Sequence, residues 1–210
     1  MTTHAVESWV LPYEQPLDMS YVEFEALNLR HAEWCNGKVT IFMPPSLRHQ
    51  LISKFLLKLI DDFVEHYHLG IVIPAPFEMA GIERRSYREP DLLFVASENR
   101  ERLTPQRLIG PADLIIEIIS PESAYRDRVE KFDEYEAIGV TEYWIVDPTA
   151  NQTRVWCYVR DEAGMYQRQS PNAQGQIASQ VLRGFWLDPR WLEHDEMPNS
   201  SATFRQIIGQ

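Results

Sequence analysis

The run DLIIEIIS, residues 113–120, sets five Leu and Ile side chains around one carboxylate, Glu117. A short apolar run rich in β-branched residues reads as a strand buried on both faces. Burying a carboxylate alone costs several kcal/mol, so Glu117 requires a cation, a metal ion or a proton beside it. A chain with this segment must build a polar pocket inside its core. A second carboxylate, Asp91, stands at the head of another strand-like run in REPDLLFV, residues 88–95. A lone lysine, Lys131, comes soon after Glu117.

The flanking pattern supplies elements that could frame such a pocket. Ser20 followed by Glu23 has capping-box spacing, so YVEFEALN is expected to be a short helix. Asn36-Gly37 is expected to turn a hairpin over about residues 31–43, because both central positions of a type I′ turn need positive φ. Beyond Pro44-Pro45-Ser46, the residues Ile52, Phe55, Leu56, Leu59, Phe63 and Tyr67 recur at helical spacing, and Gly70 offers a stop. IVIPAPFEMAG and EPDLLFVAS read as strands, and ERLTPQRLIGP as a basic loop. Asp127 and Glu130 have the spacing of a second capping box, opening a helix of about 128–138 that Gly139 closes. EYWIVDP is another buried strand, TRVWCYVRDEAGMYQRQ an antiparallel hairpin, and a short strand follows near 177–182. Strict βαβ alternation is missing, so the expected class is α+β or mixed α/β.

The chain of 210 residues fits one domain, with an N-terminal helix and hairpin at about 20–43 and a core at about 44–150. C-terminal strands at about 151–192 and a tail at 193–210 complete the expected division. No apolar run approaches the ~18 residues of a membrane span, and the opening residues lack signal-peptide character. Cys35 and Cys157 form no C-x-x-C pair. A cytoplasmic protein with two reduced thiols, and no membrane, is the expectation.

A net charge of −11 argues against indiscriminate coating of nucleic acid, which relies on Lys and Arg neutralising phosphates. That charge is uneven, with nine Lys and Arg against ten Asp and Glu from Gly81 to Lys131. A phosphate-bearing substrate would be tolerated best along this segment.

Two acids on adjacent strands would suit a Mg²⁺ ion, which takes hard oxygen ligands and keeps positions for water and phosphate. A nearby ammonium can orient the attacking water or help deprotonate it, and can stabilise charge growing on phosphate. Each feature also has a plainer reading. Pro-Asp at a strand edge is often turn chemistry, a Glu in an apolar run can be paired or edge-exposed, and a helix lysine is usually solvated. Ser120 and Ser123 lie outside any G-x-S-x-G motif and read as backbone hydrogen-bonders.

REPDLLFV, PADLIIEIISPES, DRVEKFDEYEAIGVTEYWIVDP and SQVLRGFWLD resemble, in order, the Uma-two family of restriction endonuclease-like proteins in the PD-(D/E)xK nuclease superfamily. MSYVEFEAL, the Asn36-Gly37 hairpin and MPPSLRHQ resemble that family's N-terminal part. The resemblance implies a PD-(D/E)xK restriction-endonuclease-like core, a curved mixed sheet flanked by helices. It further implies that Asp91 and Glu117, with the backbone carbonyl of Ile118, bind Mg²⁺ or Mn²⁺. The superfamily lysine usually stands two residues after the acid, where this chain has Ile119. The resemblance moves that role to Lys131 on the following helix.

Glu33 matches an acidic position of the family and is an accessory candidate, as is His49 at the start of the long helix. Plainer readings make Glu33 an alternating strand residue and His49 a partner of free helix amides. Arg84, Arg85, Arg88, Arg126 and Arg128 are candidates for substrate phosphates, or else solvated surface charge. The implied function is metal-dependent hydrolysis of DNA by Asp91, Glu117 and Lys131, and a homodimer would suit a two-strand cut. A nuclease-fold module that binds DNA or protein without cutting is the alternative, and RNA or a small nucleotide is a further possible substrate.

Overall fold

The computed structural model describes residues 17–29, 32–81, 86–121, 123–150, 152–193 and 196–209. Strand β1 (Leu17–Asp18) precedes helix α1 (Tyr21–Leu27) and the hairpin of β2 (Ala32–Cys35) and β3 (Lys38–Ile41). Helix α2 (Leu47–Tyr67) leads to β4 (Gly70–Pro74), β5 (Glu78–Ala80), β6 (Ser86–Arg88) and β7 (Leu92–Ala96). A 3-10 turn and β8 (Arg107–Ile109) come before β9 (Leu114–Ile118). A π-helical turn, Arg126–Glu130, runs into α3 (Lys131–Ile138), followed by β10 (Glu142–Asp147), β11 (Arg154–Arg160) and β12 (Tyr166–Arg168). Strands β13 (Ile177–Ala178) and β14 (Trp186–Leu187) and helix α4 (Ser200–Ile207) complete the described elements.

These form a mixed α/β fold with two six-stranded mixed sheets. One has the order β1-β3-β2-β6-β5-β8, the other β12-β11-β10-β9-β7-β4. In the second sheet β9 pairs parallel with β10, and α3 makes the crossover. Side chains on β9 alternate between two helices. Leu114, Ile116 and Ile118 pack with Ile52, Leu56 and Leu59 of α2, while Ile115 and Ile119 pack with Tyr135 of α3. Each large apolar side chain buried this way is worth about 1.5–3 kcal/mol. Glu117 falls on the α3 side of that alternation.

Local chemistry explains most boundaries. Ser20 Oγ accepts from the Glu23 amide at 3.3 Å and the Glu23 carboxylate accepts from the Ser20 amide at 2.9 Å, completing the expected capping box. Asn36 (φ 49°) and Gly37 (φ 84°) both adopt the left-handed conformation that their hairpin turn needs. Helix α2 begins at Ser46, whose hydroxyl accepts from the His49 amide at 3.2 Å.

Four expectations change. Helix α2 ends on His68 (φ 54°), not on Gly70. Gly70 instead opens β4, where an added Cβ would lie 2.1 Å from the Val95 carbonyl oxygen, so its hydrogen is needed for close strand approach. Gly70→Ala is therefore expected to destabilise the fold by about 1–3 kcal/mol through forced strand separation, read from urea denaturation midpoints. The segment 101–111 is more than a loop, because β8 within it pairs parallel with β5. Asp127 does not cap a helix start; the helical path already includes the turn before it, and its side chain is 2% exposed. The tail contains α4, capped by Asn199 and burying Ile207 in the α2 core.

Candidate active site

The chain crosses from the first sheet to the second through Glu89, Pro90 and Asp91, between β6 and β7. β7 runs antiparallel to β9 with Leu92 opposite Ile116, so one further step in register sets Asp91 beside Glu117. Asp91 Oδ2 accepts from the Ile118 amide at 2.7 Å and contacts His49 Nε2 at 3.1 Å. The N–H and carbonyl of one strand residue point to the same edge, so the Ile118 carbonyl faces the Asp91 side. Helix α2 thereby orients Asp91 through His49, whose ring burial opposes protonation while Asp91 raises its pKa. The plainer reading of His49 fails, because Ser46 rather than the His49 ring serves the helix amides.

Lys131 is 3% exposed and sits among three carboxylates. Its Nζ lies 2.7 Å from Glu117 Oε1, 3.1 Å from Glu33 Oε1 and 3.5 Å from Asp127 Oδ1. Burial alone would lower its pKa, but Glu117, Glu33 and Asp127 outweigh that and hold it well above an ordinary lysine. These carboxylates favour the ammonium form of Lys131 over the neutral amine. Tyr135, one turn further along α3, donates to Glu117 Oε1 at 2.8 Å.

Charges divide the two buried glutamates. Glu117 is pushed up to about 8, first by burial and then by Asp127, Asp91 and Glu33, against the opposing pull of Lys131. Burial also pushes Glu33 up, yet Lys131, Arg88 and Arg126 overcome it and hold Glu33 down at about 2. Glu33 is 2% exposed and binds Arg88 at 3.1 Å and the Glu89 amide at 3.0 Å, so it is no alternating solvent-facing strand residue. Glu89 itself is raised to about 7 by burial and by Glu33 and Glu78.

A pH dependence follows for Glu33. Its folded pKa lies below its ordinary value of 4.5, so its contribution is complete above that value and is lost as pH falls towards about 2. The full span is on the order of 3 kcal/mol. The stability difference between the parent and Glu33→Gln should shrink as pH falls from about 5 to about 2 in urea denaturation. A difference that stays constant would contradict the depressed pKa.

The arginine candidates separate. Arg88 is 4% exposed and bound to Glu33 and Glu134, and Arg128 pairs with Asp147. Both are structural ties rather than free phosphate donors. Arg126 pairs with no described carboxylate and stacks 4.3 Å above the Phe42 ring. Arg84 and Arg85 lie outside the described residues. Ser120 and Ser123 bond one another's amides across a turn, as expected of backbone hydrogen-bonders. Sequence reasoning missed Asp127 and Tyr135 as partners of this pocket, although they stand four residues before and after Lys131 on one helical face.

The donor set suits a hard divalent ion. Glu117 Oε1 is occupied by Lys131 and Tyr135, and Asp91 Oδ2 by Ile118 and His49. Among the described residues, none donates a hydrogen bond to the second oxygen of either carboxylate. Among those residues, too, no three His, Cys, Asp or Glu side chains converge as a metal cage, so any ion held here would rely on water for most of its ligands. This matches an ion that keeps several waters.

Comparison with known proteins agrees with this architecture. A putative nuclease belonging to DUF820 from Anabaena variabilis ATCC 29413 superposes with a TM-score of 0.63 at 17% identity. The match covers 81% of this chain and 96% of that one, and establishes likeness of fold. No match is found among curated proteins. The family profile described as "Uma2: Putative restriction endonuclease" matches residues 21–190. The chain therefore belongs to the Uma2 family of putative restriction endonucleases.

Proposed function

We propose that the protein is a metal-dependent endonuclease that hydrolyses DNA phosphodiester bonds. The supporting observation is the buried pairing of Lys131 with Glu117 beside Asp91, each acid keeping one oxygen free of described donors. Asp91, Glu117 and the Ile118 carbonyl would hold Mg²⁺ or Mn²⁺. Such an ion polarises a phosphoryl oxygen and lowers the pKa of water. Lys131, fixed as an ammonium, orients the attacking water and offsets negative charge growing on the phosphate. Tyr135 fixes the rotamer of Glu117, and His49 fixes that of Asp91. Glu33 holds Lys131 in place from the neighbouring sheet.

With this reading go a single nuclease-like domain over residues 1–210, a cytoplasmic setting and a homodimer that cuts two strands. A nuclease-fold module that binds without cutting is the second reading. It draws on the net charge of −11 and on the heavy neutralisation of Arg88, Arg128 and Lys131.

Supercoiled plasmid at low salt separates the two. The expected result is nicking and linearisation by the parent in Mg²⁺ or Mn²⁺, none in chelator, and none by folded Asp91→Asn. Binding of metal and plasmid without any cutting would assign the chain to the second reading.

A further inference from the structure

The chain segments that lead into the acid pocket carry exposed side chains that the proposed hydrolysis does not use. Tyr125 is 67% exposed, and Met43 and Leu47 are 64% and 75% exposed. Phe42 ends the β3 hairpin and carries the Arg126 guanidinium on its ring at 4.3 Å, which joins the hairpin to the turn that holds Tyr125. Leu47 stands two residues before His49, the partner of Asp91. Arg126 belongs to the turn that carries Asp127, a neighbour of Lys131, and its charge reaches Glu33. Tyr125, Met43 and Leu47 thus stand exposed within one or two residues of Arg126, Phe42 and His49 respectively.

The charges narrow that occupant. Duplex binding depends on several Lys and Arg free to neutralise phosphates, yet Arg88, Arg128 and Lys131 are already matched to carboxylates. Arg126 is left with no described carboxylate, and its buried Nε has no hydrogen-bond partner among the described residues. One guanidinium without an ion-pair partner, on the residue after an exposed phenol, suits one phosphate and one base face. Single strands are bound in this manner, by stacking on aromatic rings with modest charge neutralisation.

We propose that Tyr125 and the Phe42–Arg126 stack form a nucleotide-positioning rim that selects unpaired nucleic acid next to the scissile phosphate. This rests on the nuclease reading above and names the substrate class of the same site. Tyr125 stacks a base exposed only in a single strand, a flap or a melted segment. Arg126 contacts the adjoining phosphate with the edge that Phe42 leaves open.

Fluorescence anisotropy with a labelled oligonucleotide, single-stranded or annealed to its complement, tests this with the full chain. Measurements in chelator and in Ca²⁺ read binding apart from cutting. The parent should bind the single strand more tightly than the duplex. Tyr125→Ala should weaken single-strand binding about five- to one-hundred-fold, and Tyr125→Trp should restore it. Equal or tighter duplex binding, no measurable binding of either form, or an unaltered Tyr125→Ala variant would overturn the proposal. So would a Tyr125→Ala change confined to oligomeric state in gel filtration, which would make the rim a subunit contact. Adding Mg²⁺ separates the two levels: single-strand preference without cutting removes the nuclease reading alone. Duplex cutting without single-strand preference removes only the rim.

Discussion

Lys131→Met should lower stability by about 3–5 kcal/mol, because breaking a buried ion pair leaves the partner charges uncompensated. The partners of Lys131 are Glu33, Asp127 and Glu117, whose own charge burial disfavours, while Arg88 and Arg126 reach Glu33 from the other side. Methionine fills much of the lysine volume, so the loss reports charge rather than a cavity. A fold of this size would melt at least about 6–10 °C lower, by the usual 2–4 °C per kcal/mol. Any of the variant that remains folded should lose metal-dependent cutting as well. Urea denaturation with circular dichroism reads the first effect and plasmid conversion the second. A fully stable Lys131→Met protein would mean that the three acids do not share this ammonium.

Glu117→Gln should separate stability from activity in the opposite direction. Glutamine keeps an oxygen for Lys131 and Tyr135 while removing a carboxylate that burial and three neighbouring acids disfavour. Lys131 retains Glu33 and Asp127. The metal-free variant should therefore be at least as stable as the parent, consistent with active sites that sacrifice stability for function. Metal-dependent cutting should fall by more than about 100-fold, the upper end seen when groups merely behind a metal ligand are removed. A variant that still cuts would show that Glu117 serves the fold and not the reaction.

Much of this site was legible in the chain because burial makes charge conspicuous. Glu117 among isoleucines had to find a counterion, whereas Lys131, which stands 2.7 Å from it, was pointed to by the family resemblance and not by its own spacing. The hairpin and the first capping box were readable because their chemistry is local: Asn36-Gly37 and Ser20 with Glu23 act within four residues. Long-range pairing was not readable. Glu33 reaches Lys131 from another sheet, and nothing in the spacing of strand β2 announces a residue almost a hundred positions away. Asp127 misled for a related reason. Its spacing to Glu130 mimics a capping box, but the helical path begins earlier and Asp127 turns inward towards Lys131. Gly70 looked like a helix stop because glycine tolerates left-handed backbone, whereas its task is closeness to Val95. His68 takes the left-handed position instead.

The same pocket explains why the arginines cannot be read from number alone. Arg88 looked like a phosphate donor next to Asp91, yet it is consumed by Glu33 and Glu134. Arg126, next in sequence to the buried Asp127 and stacked on Phe42, is a described cation at the site left without an ion-pair partner. Only the fold separates a charge that ties two sheets together from one turned towards a ligand.

Under the proposed function, the acid cluster around Lys131 is completed by a divalent ion. Calorimetric titration of Mn²⁺ into the parent, Asp91→Asn and Glu117→Gln, each checked for folding, tests it most directly. The account predicts saturable binding by the parent and its loss in both variants. No binding by the parent, or binding unchanged in the folded variants, would contradict it.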